Sequence, residues 1–228
     1  MALKTAAVIS ARDEAATLAE TLRALQSAVD LSLLIVVDDG SRDATAEIAR
    51  TIGAEVFPAS PPGKAGGKGH AIRRGLLRAR AHDPDAVLLA DADLGGSAAR
   101  LVDLLAILDE HHPVAVAAFP PAPKGGFGLV KNYARRAIAR RTGYAPAEPL
   151  SGQRALLAYA LEALPGIAPG FGAEVGMTLD LLLAGIKPLE LQLPLTHRPT
   201  GRNLPGFAHR ARQGLDVARA LGGTRVPW

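Results

Sequence analysis

The stretch that decides the fold is Val87-Leu88-Leu89-Ala90-Asp91-Ala92-Asp93-Leu94. Its first four residues are apolar without a polar break, which is typical of a strand buried on both faces of a parallel sheet. Two carboxylates follow at the point where this strand leaves the sheet, and ligands of open α/β sheets bind at that edge. The sequence therefore predicts an α/β fold with a ligand site around Asp91 and Asp93.

The spacing of Asp91 and Asp93 allows both side chains to face one hard cation, directly or through water. Mg²⁺ and Mn²⁺ favour oxygen ligands and usually complete their coordination with phosphate groups of a substrate. An Asp-x-Asp pair is also common at ordinary turns, where one carboxylate caps the next helix and the other is solvated. On these two residues alone, both interpretations stay open.

Apolar strands and amphipathic helices alternate on both sides of this stretch. Strands are predicted over residues 5–10, 31–37, 54–57, 85–90, 114–119 and 189–195, and helices over residues 15–28, 44–52, 71–81, 97–110, 130–142, 155–163, 173–184 and 203–222. This alternation is typical of a doubly wound, mostly parallel sheet flanked by helices. No linker is long enough to separate independent domains, so we expect a single domain with two halves, residues 1–119 and 120–228.

Composition excludes several classes of function. The 228 residues are 48% hydrophobic, enough for a folded core, and only 4% are aromatic. The scarcity of aromatic side chains argues against nucleic acid as a partner, because single-strand binding surfaces stack bases on such side chains. The net charge of +4 fits an anionic small ligand. The absence of cysteine excludes disulfides, thiolate metal sites and cysteine nucleophiles.

The amino-terminal residues lack the basic segment and long apolar core of a signal peptide. No run of the sequence reaches the roughly 18 apolar residues that a membrane span needs. We therefore expect a cytoplasmic protein, for which any contact with a membrane would be peripheral.

Acidic clusters follow three of the predicted strands, namely Asp13 with Glu14, Asp38 with Asp39, and Asp91 with Asp93. A parallel sheet would bring all three to one edge, where like charges repel unless they bind cations or hydrogen-bond donors. The alternative is that each cluster caps a helix, an interpretation that fits Asp43 best because it directly precedes the helix predicted over residues 44–52.

Two further features are candidates for binding. The loop Gly63-Lys64-Ala65-Gly66-Gly67-Lys68-Gly69 resembles a phosphate cradle, in which glycine N–H groups and lysine charges approach an anion. It lacks the Walker pattern, and a flexible surface loop is the ordinary alternative. His197 follows the last predicted strand; it would suit Mn²⁺ better than Mg²⁺ as a ligand, and otherwise merely ends that strand.

Four motifs in chain order resemble those of family 2-type glycosyltransferases with the GT-A fold. They are VISARDE at residues 8–14, VVDDGSRDAT at 36–45, GKG at 67–69 and DAD at 91–93. In the second half, PLSG at 149–152, GFGAEVG at 170–176 and LTHR at 195–198 are similar to glucosyl-3-phosphoglycerate synthases and, more loosely, to polyprenyl-phosphate sugar transferases. The resemblance covers nearly the whole chain.

The resemblance implies a role for each matching position, with a nucleoside diphosphate sugar as donor. The implied donor-binding residues are Ala11, Glu14, Asp39, Lys68 and Asp91. Among them, Glu14 and Asp39 would hold the nucleoside, Lys68 the base or diphosphate, and Asp91 the ribose or sugar. Asp93 and His197 would bind a divalent metal, Mg²⁺ or Mn²⁺. The implied catalytic residues are Asp91 and Glu174, with Glu174 lining the sugar or acceptor pocket.

The sequence departs from the family pattern at Ser10 and Asp13, where Pro and Asn are usual, and the chain is shorter than the phosphoglycerate enzymes. The acceptor therefore stays open between a small molecule and a lipid phosphate, and the donor between a UDP-sugar and a GDP-sugar. Inversion would need a carboxylate base, for which Glu148 and Glu174 are candidates. A sugar nucleotidyltransferase and a non-catalytic nucleotide-sugar-binding protein are the alternatives, and a homodimer is allowed.

Overall fold

The computed structural model describes residues 3–119, 128–196 and 204–228, with residues 204–212 described by their backbone alone. Within these ranges seven strands form one sheet: β1 (Thr5–Ala11), β2 (Leu31–Asp39), β3 (Glu55–Ser60), β4 (Ala86–Asp91), β5 (Val114–Ala118), β6 (Arg154–Leu157) and β7 (Leu189–Gln192). The α-helices are α1 (Leu18–Ala28), α2 (Thr45–Thr51), α3 (Lys68–Arg80), α4 (Val102–Ala106), α5 (Leu129–Thr142), α6 (Ala173–Leu183) and α7 (Leu204–Leu221). Short 3₁₀ segments cover Gly95–Leu101, Ala158–Ala163 and Gly170–Gly172.

The sheet has the order β3-β2-β1-β4-β6-β5-β7 and is mostly parallel. β1 pairs in parallel with β2 and β4, β2 with β3, and β5 with β7, whereas β6 runs antiparallel to both β4 and β5. The predicted α/β class and the single flanked sheet are confirmed. β4, the strand that leads into the acidic pair, is buried along its length up to Ala90 and lies near the middle of the sheet.

Two apolar clusters cover the two faces of the sheet, because alternate residues of each strand point to opposite sides. Ala7 and Ile9 of β1 belong to the cluster that includes α1, while Ala6 and Val8 of the same strand belong to the cluster that includes α3. Burial on both faces explains why β1 and β4 are continuous apolar runs rather than alternating ones.

The sequence-based prediction is wrong for residues 155–163. These residues form the strand β6 followed by a 3₁₀ segment instead of a helix. The strand residues, Arg-Ala-Leu-Leu, all have high helix propensity. β6 pairs with β4 on one side and with β5 on the other. Without β6, the backbone hydrogen-bonding groups on the facing edges of these two buried strands would have no partners, so strand pairing overrides the helix propensity.

Other element boundaries differ less. The helix predicted over residues 97–110 is a 3₁₀ segment followed by the short α4, and the last strand ends at Gln192 rather than at residue 195. The loop predicted over residues 58–70 is shorter, because β3 runs to Ser60 and α3 begins at Lys68. The Pro- and Gly-rich stretch at residues 120–128 lies outside the described residues except for Gly128. None of the described helices is long and apolar enough to cross a membrane.

Candidate active site

The carboxyl ends of β1, β2 and β4 lie side by side at one edge of the sheet. Ala11, the last residue of β1, is in register with Asp38 of β2, and Ser10 is in register with Asp91 of β4. The predicted gathering of the three acidic clusters at one edge is therefore confirmed. Their mutual repulsion is offset in large part by hydrogen-bond donors supplied by the neighbouring turns.

The turns that follow β1 and β2 are joined through Asp13. Its N–H donates to Ser41 Oγ at 3.0 Å, and its Oδ1 accepts the N–H of Arg42 at 2.7 Å. Asp13 has a φ of 54°, a left-handed conformation that Asp tolerates better than most residues. Glu14, the next residue, donates its N–H to Thr45 Oγ1 at 2.8 Å and accepts Thr17 Oγ1 at 3.2 Å.

Asp43 caps the start of α2, as the sequence predicts. Its Oδ1 accepts the N–H of Thr45 at 3.0 Å, and its Oδ2 accepts the N–H of Ala15 at 3.0 Å. Burial raises the pKa of the Asp43 carboxyl, but the hydrogen bonds from Thr45 and Ala15 outweigh it, so its pKa lies below the usual value. This carboxylate ties α2 to the turn after β1.

Asp39, at the end of β2, binds the glycine loop that precedes α3. It is 5% exposed. Oδ1 accepts Ser60 Oγ at 2.7 Å and the N–H of Gly66 at 2.8 Å, and Oδ2 accepts the N–H of Gly67 at 2.8 Å. Asp39 therefore fixes the conformation of this loop, and direct contact with a donor nucleoside stays a prediction.

Lys68, the first residue of α3, lies at the centre of the site. Its Nζ is 2.6 Å from Oδ1 of Asp91 and 2.7 Å from Oε1 of Glu174, which belongs to the first turn of α6. The side chain of Lys68 is 22% exposed, that of Asp91 27% and that of Glu174 only 4%. The structure thus brings together three residues that lie far apart in the sequence and that the motifs single out one by one.

The electrostatics of this group favour a permanently charged lysine. Burial alone would lower the pKa of Lys68, but the negative charges of Asp91 and Glu174, together with their hydrogen bonds, outweigh it and raise the pKa above its usual value. The ammonium is therefore protonated throughout the neutral range, and it offsets one of the two negative charges that Asp91 and Glu174 bring to the sheet edge.

The turn before β6 completes the site and was not among the predicted site residues. Gln153 is 1% exposed, and its Nε2 donates to Oδ2 of Asp91 at 3.0 Å. Gly152 lies against the ion pair: a Cβ at this position would be 2.8 Å from Lys68 Nζ and 2.9 Å from both carboxylate oxygens of Asp91. The signal in the sequence was the PLSG motif, and its glycine is required because a side chain at position 152 would collide with the ion pair.

The glycine segment Gly170–Gly172 packs on the loop that contains Gly67. Gly170 has a φ of 58°, and its Cα is 3.6 Å from where a Cβ of Gly67 would lie. Asp216 of α7, which is 8% exposed, accepts the N–H of Phe171 at 3.2 Å. This contact sets the position of the Gly170–Gly172 segment, from which α6 and Glu174 continue.

The predicted metal ligands are placed only in part. Asp93 follows β4 and is half-buried, whereas His197 lies outside the described residues. Across residues 3–119, 128–196 and 204–228, no three or more His, Asp or Glu side chains form a metal-binding group. Oδ1 of Asp91 contacts the ammonium of Lys68, and a cation shared by Asp91 and Asp93 stays a prediction. Asp93 remains the candidate ligand among the described residues.

The order of motifs and the geometry of the site agree with a comparison to known families. The sequence model of Glycosyl transferase family 2 matches residues 6–157, well over half of the chain. The chain belongs to this family. As a family 2 glycosyltransferase, it carries its matched motifs on β1, β2, α3 and β4, with Asp91 at the end of β4 and Gln153 directly before β6.

Solved structures similar to this family 2 glycosyltransferase include glucosyl-3-phosphoglycerate synthase from Mycobacterium tuberculosis. One complex, with Mn²⁺, UDP and glucosyl-3-phosphoglycerate, has 28% sequence identity and a TM-score of 0.74, covering 96% of this chain and 80% of that chain. A second, with Mg²⁺ and UDP, has 27% identity and a TM-score of 0.77, with coverage of 96% and 80%. A third, with Mn²⁺, UDP-glucose and phosphoglyceric acid, has 27% identity and a TM-score of 0.74, with coverage of 99% and 86%. No curated protein sequence is significantly similar to the chain.

Proposed function

We propose that this glycosyltransferase moves a hexose from a UDP-sugar to a hydroxyl group of a small anionic acceptor, with a divalent metal. The observation that carries the proposal is the Lys68 ammonium at the carboxyl edge of the sheet, next to a glycine loop fixed by Asp39. The similar solved structures bind UDP or UDP-glucose, and one of them also binds phosphoglyceric acid, which supports the choice of donor and acceptor class.

The leaving group of this reaction is a nucleoside diphosphate, which gains negative charge as the bond to the sugar breaks. Lys68 can offset that charge, because its raised pKa keeps it protonated at neutral pH. The N–H groups of Gly66 and Gly67 in the preceding loop already donate to Asp39, so we assign the contact with the diphosphate to Lys68 rather than to the backbone of this loop. Ala11, the last residue of β1, and Glu14, three residues further on, belong to the part of the edge that we assign to the nucleoside.

Asp93 and His197 are the residues that we assign to the metal. Mg²⁺ and Mn²⁺ sites often use one or two protein ligands and take further oxygens from phosphate groups, so a cluster of three protein ligands is not required. Asp93 is half-buried and lies two residues after the end of β4, and its carboxylate fits that chemistry. When bound, the metal would supply positive charge for the leaving diphosphate.

Asp91 is assigned to the sugar or ribose, since Lys68 and Gln153 hold its carboxylate in a fixed orientation at the sheet edge. The two candidate bases are both ion-paired with a lysine: Glu174 with Lys68, and Glu148 with Lys131. Glu174 is also almost fully buried. Its position favours a role in orienting Lys68 and shaping the pocket over a role as the base.

The reaction is tested by incubating the protein with labelled UDP- and GDP-sugars, Mg²⁺ or Mn²⁺, and a panel of phosphorylated hydroxy acids. Release of UDP together with a glycosylated acceptor is expected. Formation of pyrophosphate would mean a nucleotidyltransferase, and binding without turnover would mean a nucleotide-sugar-binding protein. Transfer only to a polyprenyl phosphate in vesicles would replace the small acceptor by a lipid and bring the protein to a membrane surface.

A matched pair of lysine variants connects the activity to this site. Lys68→Met removes the ammonium at the carboxyl edge, while Lys4→Met removes one that precedes β1 and contacts the carbonyls of His82 and Asp83. We expect UDP affinity, measured by calorimetry, to fall about tenfold to a hundredfold in Lys68→Met, since a charge-assisted hydrogen bond contributes roughly 1.5–3 kcal/mol. An equal loss in Lys4→Met would place the donor elsewhere.

A further inference from the structure

Arg154 is a fully buried arginine directly behind the site. It is the first residue of β6, its side chain has no exposure, and it is the largest fully buried side chain of the described residues. Such a position is unusual for arginine, because burying a guanidinium removes strongly favourable hydration. The family motifs and the proposed donor contacts leave this residue without a role.

The guanidinium joins two segments that both lie close to Lys68. Its Nε donates to the carbonyl of Ser151 at 2.9 Å, and its Nη1 donates to Thr178 Oγ1 at 2.9 Å. Thr178 in turn donates to the carbonyl of Glu174 at 2.9 Å. One segment is therefore the turn that packs on Asp91 through Gly152, and the other is α6 at Thr178, one turn after Glu174.

The hydrogen bonding of Arg154 is less complete than we would expect if the residue served only to stabilise the fold. Its Nη2 is buried and has no hydrogen-bond acceptor among the described residues. Burial lowers the pKa of Arg154 to about 10, and the negative charges of Glu174 and Glu190 offset only part of that effect. Well-packed apolar residues often stabilise a fold as much as a buried charge does. An incompletely paired arginine at this place therefore calls for a further reason.

We propose that Arg154 is a positioning residue that sets the separation between the Asp91 and Glu174 carboxylates and so fixes the Lys68 ammonium between them. The fork of the guanidinium suits this role, because two donors of fixed geometry connect the Ser151–Gly152 turn to α6. Only the consequence for donor binding rests on the proposed function; the placement of Lys68 does not.

The first test needs no substrate. The rate at which an acylating reagent modifies Lys68 is measured by peptide mass spectrometry, with the exposed Lys187 as internal reference. The variants are Arg154→Met and Thr178→Val; the second removes the hydrogen bond between Arg154 and α6 with little change in side-chain volume. In both we expect Lys68 to react about tenfold faster, the effect of losing one charge-assisted contact.

Arg225→Met is the matched control. Arg225 is also a buried arginine bound to α6, through Asp180 and the carbonyl of Gly176, but it does not contact the turn before β6. It should lower the melting temperature and leave the reactivity of Lys68 unchanged. A wild-type rate in both Arg154→Met and Thr178→Val, or an equal rise in Arg225→Met, overturns the proposal.

The second test is a double-mutant cycle on UDP affinity, measured by calorimetry. If Arg154 acts through Lys68, Arg154→Met weakens binding about tenfold in the wild-type background and has no further effect in Lys68→Met. Additive losses overturn the proposal, because they mean that Arg154 acts independently of the ammonium. If the wild-type protein fails to bind UDP, the proposed function fails, while the labelling experiment still decides the role of Arg154.

Discussion

Lys68 shows what a single residue contributes to this site. One ammonium group is shared by two carboxylates, one of which, Glu174, is buried and has its Oε1 beside the lysine. The motifs pointed to Lys68, Asp91 and Glu174 separately. Their contact could not be predicted, because it depends on how α3 and α6 begin at the same edge of the sheet.

The charge of Lys68 leads to a prediction about stability. Lys68→Met leaves Glu174 buried without its counter-ion, which should lower the free energy of unfolding by about 3 kcal/mol. Because the pKa of Lys68 is raised in the folded protein, its contribution is fully present below the unfolded value of about 10.4 and is lost only as the pH rises through the folded pKa.

Urea unfolding of wild type and Lys68→Met at several values between pH 7 and pH 9 provides the measurement. The difference between the two proteins should stay constant over this range. A difference that disappears by pH 9 would show that the lysine titrates in the neutral range and would contradict the ion-pair account.

Asp93 leads to a second prediction at the residue scale. Asp93→Asn keeps the size of the side chain and removes the negative charge that we expect to bind the metal. Metal-dependent turnover should be lost, while the melting temperature changes little. Asp103→Asn on α4, where the carboxylate pairs with Arg100, is the control for loss of an acidic group elsewhere. Wild-type turnover in Asp93→Asn would remove Asp93 from the metal site.

At the scale of elements, the turn before β6 and the strand β6 itself could not be predicted from the sequence. The strands that carry Asp39 and Asp91 were predictable, since both are continuous apolar runs that end in carboxylates. The strand β6 was not, because its four residues favour a helix and only β4 and β5 make it extended. Gln153 and Arg154, which depend on that strand, were missed as site residues for the same reason.

Gly152→Ala tests the close approach of this turn to the ion pair. The added methyl group would be closer than 3.0 Å to Lys68 Nζ and to both Asp91 oxygens, so the turn or the ion pair must move. We expect a loss of UDP affinity of about tenfold, the equivalent of one weakened charge-assisted contact. The measurement is calorimetry on the folded protein.

Gly214→Ala is the matched control, because among the described residues a Cβ there meets only Val130 of α5, at 3.9 Å. In the middle of α7 this change should raise the free energy of unfolding by up to about 1 kcal/mol and leave UDP affinity unchanged. If Gly152→Ala binds UDP as well as the wild type does, the turn is not part of the donor site.

At the scale of the whole molecule, the two sequence halves share one sheet. β6, from the second half, lies between β4 and β5 of the first half, and β7 extends the sheet beyond β5. Residues 1–119 therefore lack the strand that joins β4 to β5. The single domain was predictable from the absence of a linker, whereas this interlocking was not, since it follows from pairings between distant segments.

A fragment of residues 1–119 should not fold by itself. Without β6, the apolar strands β4 and β5 both lose their antiparallel partner, and the cluster that includes Leu156 is left incomplete. Circular dichroism and hydrogen exchange of the fragment should show little protected strand structure. A cooperative thermal transition in the fragment would contradict this view and would make the first half an independent unit.

The insertion of β6 also has a consequence for synthesis of the chain. During translation β4 and β5 leave the ribosome before residues 154–157 do. Until β6 emerges, the edge of each apolar strand that pairs with β6 has no hydrogen-bond partner. Such edges can pair with other chains, and the long-range contacts that close them form late. The nascent first half is therefore the aggregation-prone state of this protein, and conditions that slow translation between residues 119 and 154 should lower its yield.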